Sequence, residues 1–440
     1  MEQKKQTEEK EQPDWLSPQG KVDEVKFCRE FYMKHHLAVY NNCLYSPYGR
    51  VSDENLLRRR IYSRLSQHVT SGLPAKVESI VSTLLLECPT VNMDRDKEQY
   101  MLYTNNGQYN LCESTFSNYM DYCRFRLPVD YNPEAPKPER WLTFLSELLY
   151  EEDIPTLQEY MGYCLLPTTI AQKMLIITGK GGEGKSRIGL VMKALLGENM
   201  NIGSIAKLEA SPFARADLEN RLVLVDDDLK MEALKQTNYI KSIITAELPM
   251  DLERKGIQSY QGELCARFMA FGNDTIQALH DRSHGFFRRQ IILTTRERPA
   301  NRKDDPYLGG YLTDEAEGIL LWCMEGIRRL WAQQYQFTVS PRARRNLLES
   351  MCRGNNVEEF LRSTGYIQFT PEGSVSSKLL YEVYRDWCGD NVLPPLSAGS
   401  FWNYLNQNTA RLGLIPSKHI SAGNGKEVRG FRGVRACHRF

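Results

Sequence analysis

KMLIITGKGGEGKS, residues 173–186, decides how this 440-residue chain is read. The apolar run after Lys173 is short and does not alternate, as expected of a strand buried on both faces. A Gly-rich turn follows it, and helical apolar spacing runs from Ser186 to Leu196. The turn fits G-x-x-x-x-G-K-[ST]. Its glycines let consecutive N–H groups face an anion without Cβ interference, and the helix amino terminus adds its dipole. Gly179, Gly181, Gly182, Glu183, Gly184, Lys185, Ser186 and Arg187 are therefore the candidate nucleotide-binding set. Lys185 would reach the terminal phosphates of ATP, and the Ser186 hydroxyl would hold Mg²⁺.

Working outward, RLVLVDDD (221–228), RFMAFGND (267–274) and RRQIILTT (288–295) are three more apolar runs separated by helical stretches. Strands alternating with helices predict an α/β core, a mostly parallel sheet covered on both faces. Ligands of such sheets bind beyond the carboxyl ends of the strands. There the second run delivers Asp226, Asp227 and Asp228, carboxylates of the kind that hold Mg²⁺ and orient water in phosphoryl transfer. Asp226 and Asp227, nearest the strand, are the candidate catalytic acids, with Asp226 and Ser186 on the metal. Asn273 ends the next run and is either a γ-phosphate sensor or a helix cap. Arg288 and Arg289 open the last run, as surface charge or as an arginine finger from a neighbouring subunit. Between the acids and Asn273, a helix and a hairpin are expected, with Arg254, Lys255 and Gly256 near the tip. That tip is a solvated turn or a grip on single-stranded DNA.

The flanks divide the chain. Residues 1–20 read as a disordered tail, 21–156 as a mainly helical amino-terminal domain, 157–350 as the P-loop domain, and 351–440 as a carboxy-terminal domain. In the second segment, KFCREFYMKHHLAVYNN (26–42) and PERWLTFLSELLYEED (138–153) have helical spacing, and MLYTNNGQYNL (101–111) reads as a hairpin turning at Asn106-Gly107. From Arg411 onward seven cations face one acid, Glu427, for a net charge of +6, consistent with phosphate contacts or with a basic surface tail. The whole chain balances 56 Lys+Arg against 55 Asp+Glu, which excludes a bulk polycation. Eleven cysteines without a CxxC pair fit buried thiols in a reducing cytoplasm. His280 and His284 stand four apart, but no Glu or Cys completes a metal set. No apolar run is long enough for a membrane span.

The order of these features resembles the superfamily 3 helicases. It runs from the P-loop through LVLVDDD and Thr245-Ala246-Glu247 to the basic hairpin, the strand ending in Asn273, and GFFRR (285–289). More narrowly, it is similar to the phage and plasmid replicative helicases with a poxvirus-type amino-terminal helicase domain. NNGQYNL (105–111), PVDYNPEAPKPERWLTFLSELL (128–149) and TLQEYMGYCLLPT (156–168) resemble the lead-in region of that family. VEEFLRSTG (357–365), LLYEVYRDWC (379–388) and PPLSAGSFWNYL (394–405) resemble its winged-helix-like module.

The resemblance implies an AAA+-like core in a homo-hexameric ring that hydrolyses ATP with Mg²⁺. The ring would move 3′ to 5′ on single-stranded and forked DNA in a bacterial cytoplasm, replicating a phage, plasmid or other mobile element. Asn273 would be its sensor, Arg288 or Arg289 the finger, and Arg254 and Lys255 the strand contacts. The acidic stretch carries only Asp where relatives often place a Glu. A separate primase is the implied partner, and no membrane is involved. A nucleotide-switched DNA-binding initiator or loader without unwinding activity is the alternative.

Overall fold

The computed structural model describes residues 12–229, 237–273, 284–298, 305–354, 356–391, 393, 395–421 and 427–437. Its centre is a five-stranded parallel sheet. The strands are β1 (Met174–Thr178), β2 (Met200–Ile202), β3 (Val223–Leu229), β4 (Arg267–Gly272) and β5 (Gln290–Thr294), in the order β5-β1-β4-β3-β2. All of β1 and β4 is buried, which is why those runs lack polar alternation. Successive side chains on a strand leave on opposite faces, and the core divides accordingly. Leu175, Ile177, Val225, Met269, Phe271 and Ile291 pack on one face with the helices Ser186–Leu196, Ile154–Tyr163 and Ala316–Ala332. Met174, Ile176, Leu224, Phe268, Ala270 and Ile292 pack on the other with Ile205, Leu208, Ile240 and Phe286.

Strand order also fixes where a ligand sits. From β1 the chain leaves toward the β2 edge, and from β4 it leaves toward the β5 edge, past β1. Neighbouring strands with opposite departures open a crevice beyond their carboxyl ends. Gly179–Ser186 leaves β1 there, and Asn273 leaves β4.

The lead-in region is less separate than its sequence suggests. Leu102, Tyr109, Phe125, Trp141, Leu145 and Leu157 belong to the same apolar core as the sheet, so 101–156 packs as part of the central body. An independent amino-terminal core ends near Cys88 and includes Trp15, which is 1% exposed against Phe27 although it lies in the stretch read as tail. This region is also less helical than expected. The first helix stops at His35, capped by left-handed His36, and Ala38–Tyr40, Cys43–Ser46 and Gly49–Arg50 form a small antiparallel sheet. The hairpin forms as Met101–Thr104 and Gly107–Asn110, joined by Asn105-Asn106 with Gly107 already in the strand.

Beyond the sheet, the helix Pro341–Gly354 lies against β5, where Asn346 Nδ2 donates to Ile292 O at 3.0 Å. The carboxy-terminal region has its own core around Phe360, Tyr384, Trp387, Phe401 and Phe431. Its elements run helix 356–362, strand 367–376, helices 377–390 and 398–407, short helix 409–412, then strands 415–421 and 427–436. The three strands form one antiparallel sheet. Among the described residues, no helix is long and apolar enough to cross a membrane.

Candidate nucleotide site

The helix after the turn begins at Ser186, as the sequence predicts. Gly181, Gly182 and Gly184 have φ of +103°, +80° and +108°, a backbone that a Cβ would strain. The turn holds an ion pair of its own. Lys185 Nζ lies 2.8 Å from Glu183 Oε2, and Gly181 N–H donates to both Glu183 oxygens at 2.8 and 3.0 Å. Both side chains are buried, Glu183 at 3% and Lys185 at 8% exposure. Burial pushes the Glu183 carboxyl upward, but the Lys185 and backbone bonds outweigh it and hold it below the usual range. Ser186 is exposed. Arg187 turns away from the turn, toward Gly309.

Asn273 comes to the turn: a Cβ built on Gly181 would lie 3.6 Å from its Oδ1. Gly179, Lys180, Glu183 and Asn273 line one cleft of about 490 Å³. Sequence reasoning missed the rest of its wall, which includes Tyr150, Thr295, Glu297, Asn346, Glu349 and Ser350. These come from three distant segments without a local motif. Two residues beyond β5 lean on the turn, Glu297 on Lys180 Nζ at 2.5 Å and Arg298 Nη1 on Gly182 O at 3.1 Å.

The three acids at the end of β3 differ. Asp226 is 4% exposed, and its Oδ2 accepts the Ile205 N–H at 2.8 Å. It shares the face of Leu224, away from the helix Ser186–Leu196, and burial raises its pKa. Val225 faces that helix, since a Cβ built on Gly189 would lie 3.5 Å from its Cγ1. The ladder pairs Asp226 with Ala270 and Leu229 with Gly272, so Asp227 and Asp228 bulge opposite Phe271, and both are exposed. Mg²⁺ keeps most of its waters and takes one or two carboxylates plus phosphate oxygens. The Ser186 hydroxyl and one acid of β3 are the side chains that would supply such ligands here. Among the described residues, no three His, Cys, Asp or Glu side chains form a metal-type group; His280 lies outside them.

Arg288 and Arg289 precede β5, at the opposite end of the sheet from the turn. Arg288 is exposed, and its carbonyl accepts from Lys173 Nζ. Arg289 is half-buried and donates to Gly285 O. The pairs run from Gln290↔Met174 to Thr294↔Thr178, so about 13 Å of strand separates these guanidiniums from the turn.

The hairpin forms from Met250–Arg254 and Ile257–Gly262, with Lys255-Gly256 at its tip. Lys255 is exposed, and Gly256 has φ +74° with open space around it. Arg254 is engaged elsewhere: Nε donates to Tyr260 Oη at 2.9 Å and Nη2 to Glu219 Oε2 at 2.9 Å.

Comparison with known proteins gives two family matches. Residues 177–289 match a family of unknown function, DUF5906, and residues 54–149 match a family described as D5 N terminal like. The first span runs from β1 to Arg289 and holds every site residue expected from the sequence, though not the cleft wall at Tyr150, 295–297 and 346–350. Among solved structures, the apo structure of the NrS-1 C terminal region is similar with a TM-score of 0.51 at 12% identity, covering 94% of this chain and 100% of that one. Two A-form apo structures of that region give TM-scores of 0.48 and 0.46 at 14% identity. They cover 90% and 86% of this chain and 88% and 82% of theirs. At these identities the likeness is one of fold.

Proposed function

We propose that this chain is an ATP- and Mg²⁺-dependent DNA helicase of the superfamily 3 kind, serving replication of a phage, plasmid or mobile element in a bacterial cytoplasm. The observation that carries the reading is the glycine turn at the carboxyl end of β1, with Lys185 inside it and Asn273 of the adjacent strand beside it. Backbone N–H groups and Lys185 would bind the triphosphate, and Ser186 with Asp227 would hold Mg²⁺, whose charge would offset that of the phosphates. Asp226 anchors the loop at Ile205 and so fixes the end of β3. Asn273 orients the attacking water or γ-phosphate. Arg288 or Arg289 serves the neighbouring subunit's nucleotide in an AAA+-like homo-hexamer. The Lys255 tip holds single-stranded DNA while the ring moves 3′ to 5′. The carboxy-terminal helices and antiparallel sheet act as a winged-helix-like DNA module, and a separate primase supplies primers.

Strand displacement on a tailed duplex, run beside ATPase turnover, tests this. The wild type is expected to release a strand only with hydrolysable nucleotide and Mg²⁺, and Lys185→Ala to lose both activities. Binding of ATP and DNA with no strand released would assign the chain to switched initiators or loaders. Normal turnover by Lys185→Ala would remove the nucleotide assignment.

A further inference from the structure

Glu183 occupies the place where a phosphate is expected. The turn's cation and a converging N–H are both bonded to its carboxylate, at 2.8 Å from Lys185 Nζ and at 2.8 and 3.0 Å from Gly181 N. The carboxyl stays ionised at neutral pH, because these bonds outweigh the burial that would protonate it. An anion of the chain itself thus fills an anion site. We propose that Glu183 is a built-in competitor for the phosphate cradle, whose carboxylate must be displaced before nucleotide phosphate can bind. This rests on reading 179–186 as the nucleotide site, and it identifies the residue that sets the site's affinity.

A structural role alone explains the arrangement poorly. A buried ion pair recovers little net stability over its desolvation cost, and Lys185 and Gly181 N–H are the donors that a phosphate needs. Carboxylate and phosphate cannot share them, since like charges at contact distance repel. The side chain has space to move into, because it borders the 490 Å³ cleft. While it stays, it keeps Lys185 and the Gly181 N–H aligned for an anion. While it must be displaced, weak anions are discriminated against, and a ligand with several phosphate oxygens and Mg²⁺ is favoured.

The test is equilibrium binding of a fluorescent ATP analogue with Mg²⁺, and of inorganic pyrophosphate by competition, to the full chain. Glu183→Gln keeps the shape and removes the charge, and Glu183→Ala removes the competitor. Glu297→Gln removes a carboxylate that bonds Lys180 at the rim instead of the cradle donors, and so measures the through-space effect of one charge. Losing a charge-assisted bond that competes with ligand is worth about 10- to 100-fold in affinity. Both Glu183 variants are expected to bind that much tighter than wild type, for ATP analogue and pyrophosphate alike, and well beyond Glu297→Gln. Should Glu183→Ala fail to fold, as read by circular dichroism, the isosteric Glu183→Gln still decides. Affinity equal to or weaker than wild type, or a gain no larger than that of Glu297→Gln, overturns the proposal while leaving the nucleotide site in place. Binding by neither wild type nor the Glu183 variants would overturn the site and the proposal together.

Discussion

The two ends of the parallel sheet treat positive charge in opposite ways. At the carboxyl end, Lys185 is buried and answered within its own turn by Glu183. At the amino end, Lys173, Arg288 and Arg289 gather. Burial and the two guanidiniums hold the Lys173 ammonium below its ordinary value, and Arg288 faces solvent. One end satisfies itself, whereas the other concentrates charge at the surface. Since the length of β5 stands between them, no side-chain rotation within one chain unites both sets. A site that uses both requires the carboxyl end of one copy to meet the amino end of the next. That is a head-to-tail contact, the kind that closes into rings.

The largest expected effect breaks this comparison directly. Removing an arginine finger costs about 10³-fold or more in hydrolysis, so Arg288→Ala or Arg289→Ala should abolish most turnover while sparing nucleotide binding. Mixing the affected variant with Lys185→Ala subunits should restore part of the activity, because some interfaces then pair an intact turn with an intact arginine. Full turnover by both single variants would end the finger assignment, and no recovery on mixing would end the action between subunits.

A second contrast lies within one strand. Asp227→Asn should lower Mg²⁺-dependent hydrolysis by about 10²-fold, the usual scale for losing a group that orients a metal or its water. Asp226→Asn should cost much less, because an amide oxygen can still accept the Ile205 N–H. Titrating turnover against Mg²⁺ separates the two. A greater loss in Asp226→Asn would return the metal to that acid.

These contrasts mark what was legible in the sequence. The strand–turn–helix at 173–196 appeared with its boundaries because run length, glycines and helical spacing are local signals. The hairpin at 250–262 was legible for the same reason. Strand order was not, since parallel pairing joins residues from 23 to 116 positions apart. Neither was the place of 101–156 in the central core: an amphipathic pattern shows that a face is buried without showing against what. The helix expected through Asn42 ended at His36, a left-handed residue that is neither Gly nor Pro and so gave no stop signal. The acids were found as a group, but only the bulge opposite Phe271 and the Ile205 hydrogen bond distinguish Asp226 from Asp227. Glu183 was counted with the nucleotide-binding set, and nothing in the spacing told that its carboxylate folds back into the turn.

The smallest expected effect concerns adjacent cations that sequence reasoning treated alike. Lys255 projects from the hairpin tip, while Arg254, the strand residue next to it, is bonded to Tyr260 and Glu219. If the tip touches a backbone phosphate, Lys255→Ala should weaken single-strand binding. It should also flatten log K against log salt by about 0.7 for each phosphate left unneutralised, the counterion release for a single strand. Arg254→Ala should leave that slope unchanged. Its guanidinium is substantially exposed, so solvent screens the Glu219 pair, and the expected loss of stability is about 1 kcal/mol or less. Thermal melting reads that loss, and salt titration of an oligonucleotide complex reads the slope. Equal slopes for wild type and Lys255→Ala would remove the tip from the DNA path. A change confined to Arg254→Ala would mean that its side chain leaves Glu219 for the strand, and Arg254 instead of Lys255 would then be what grips the DNA.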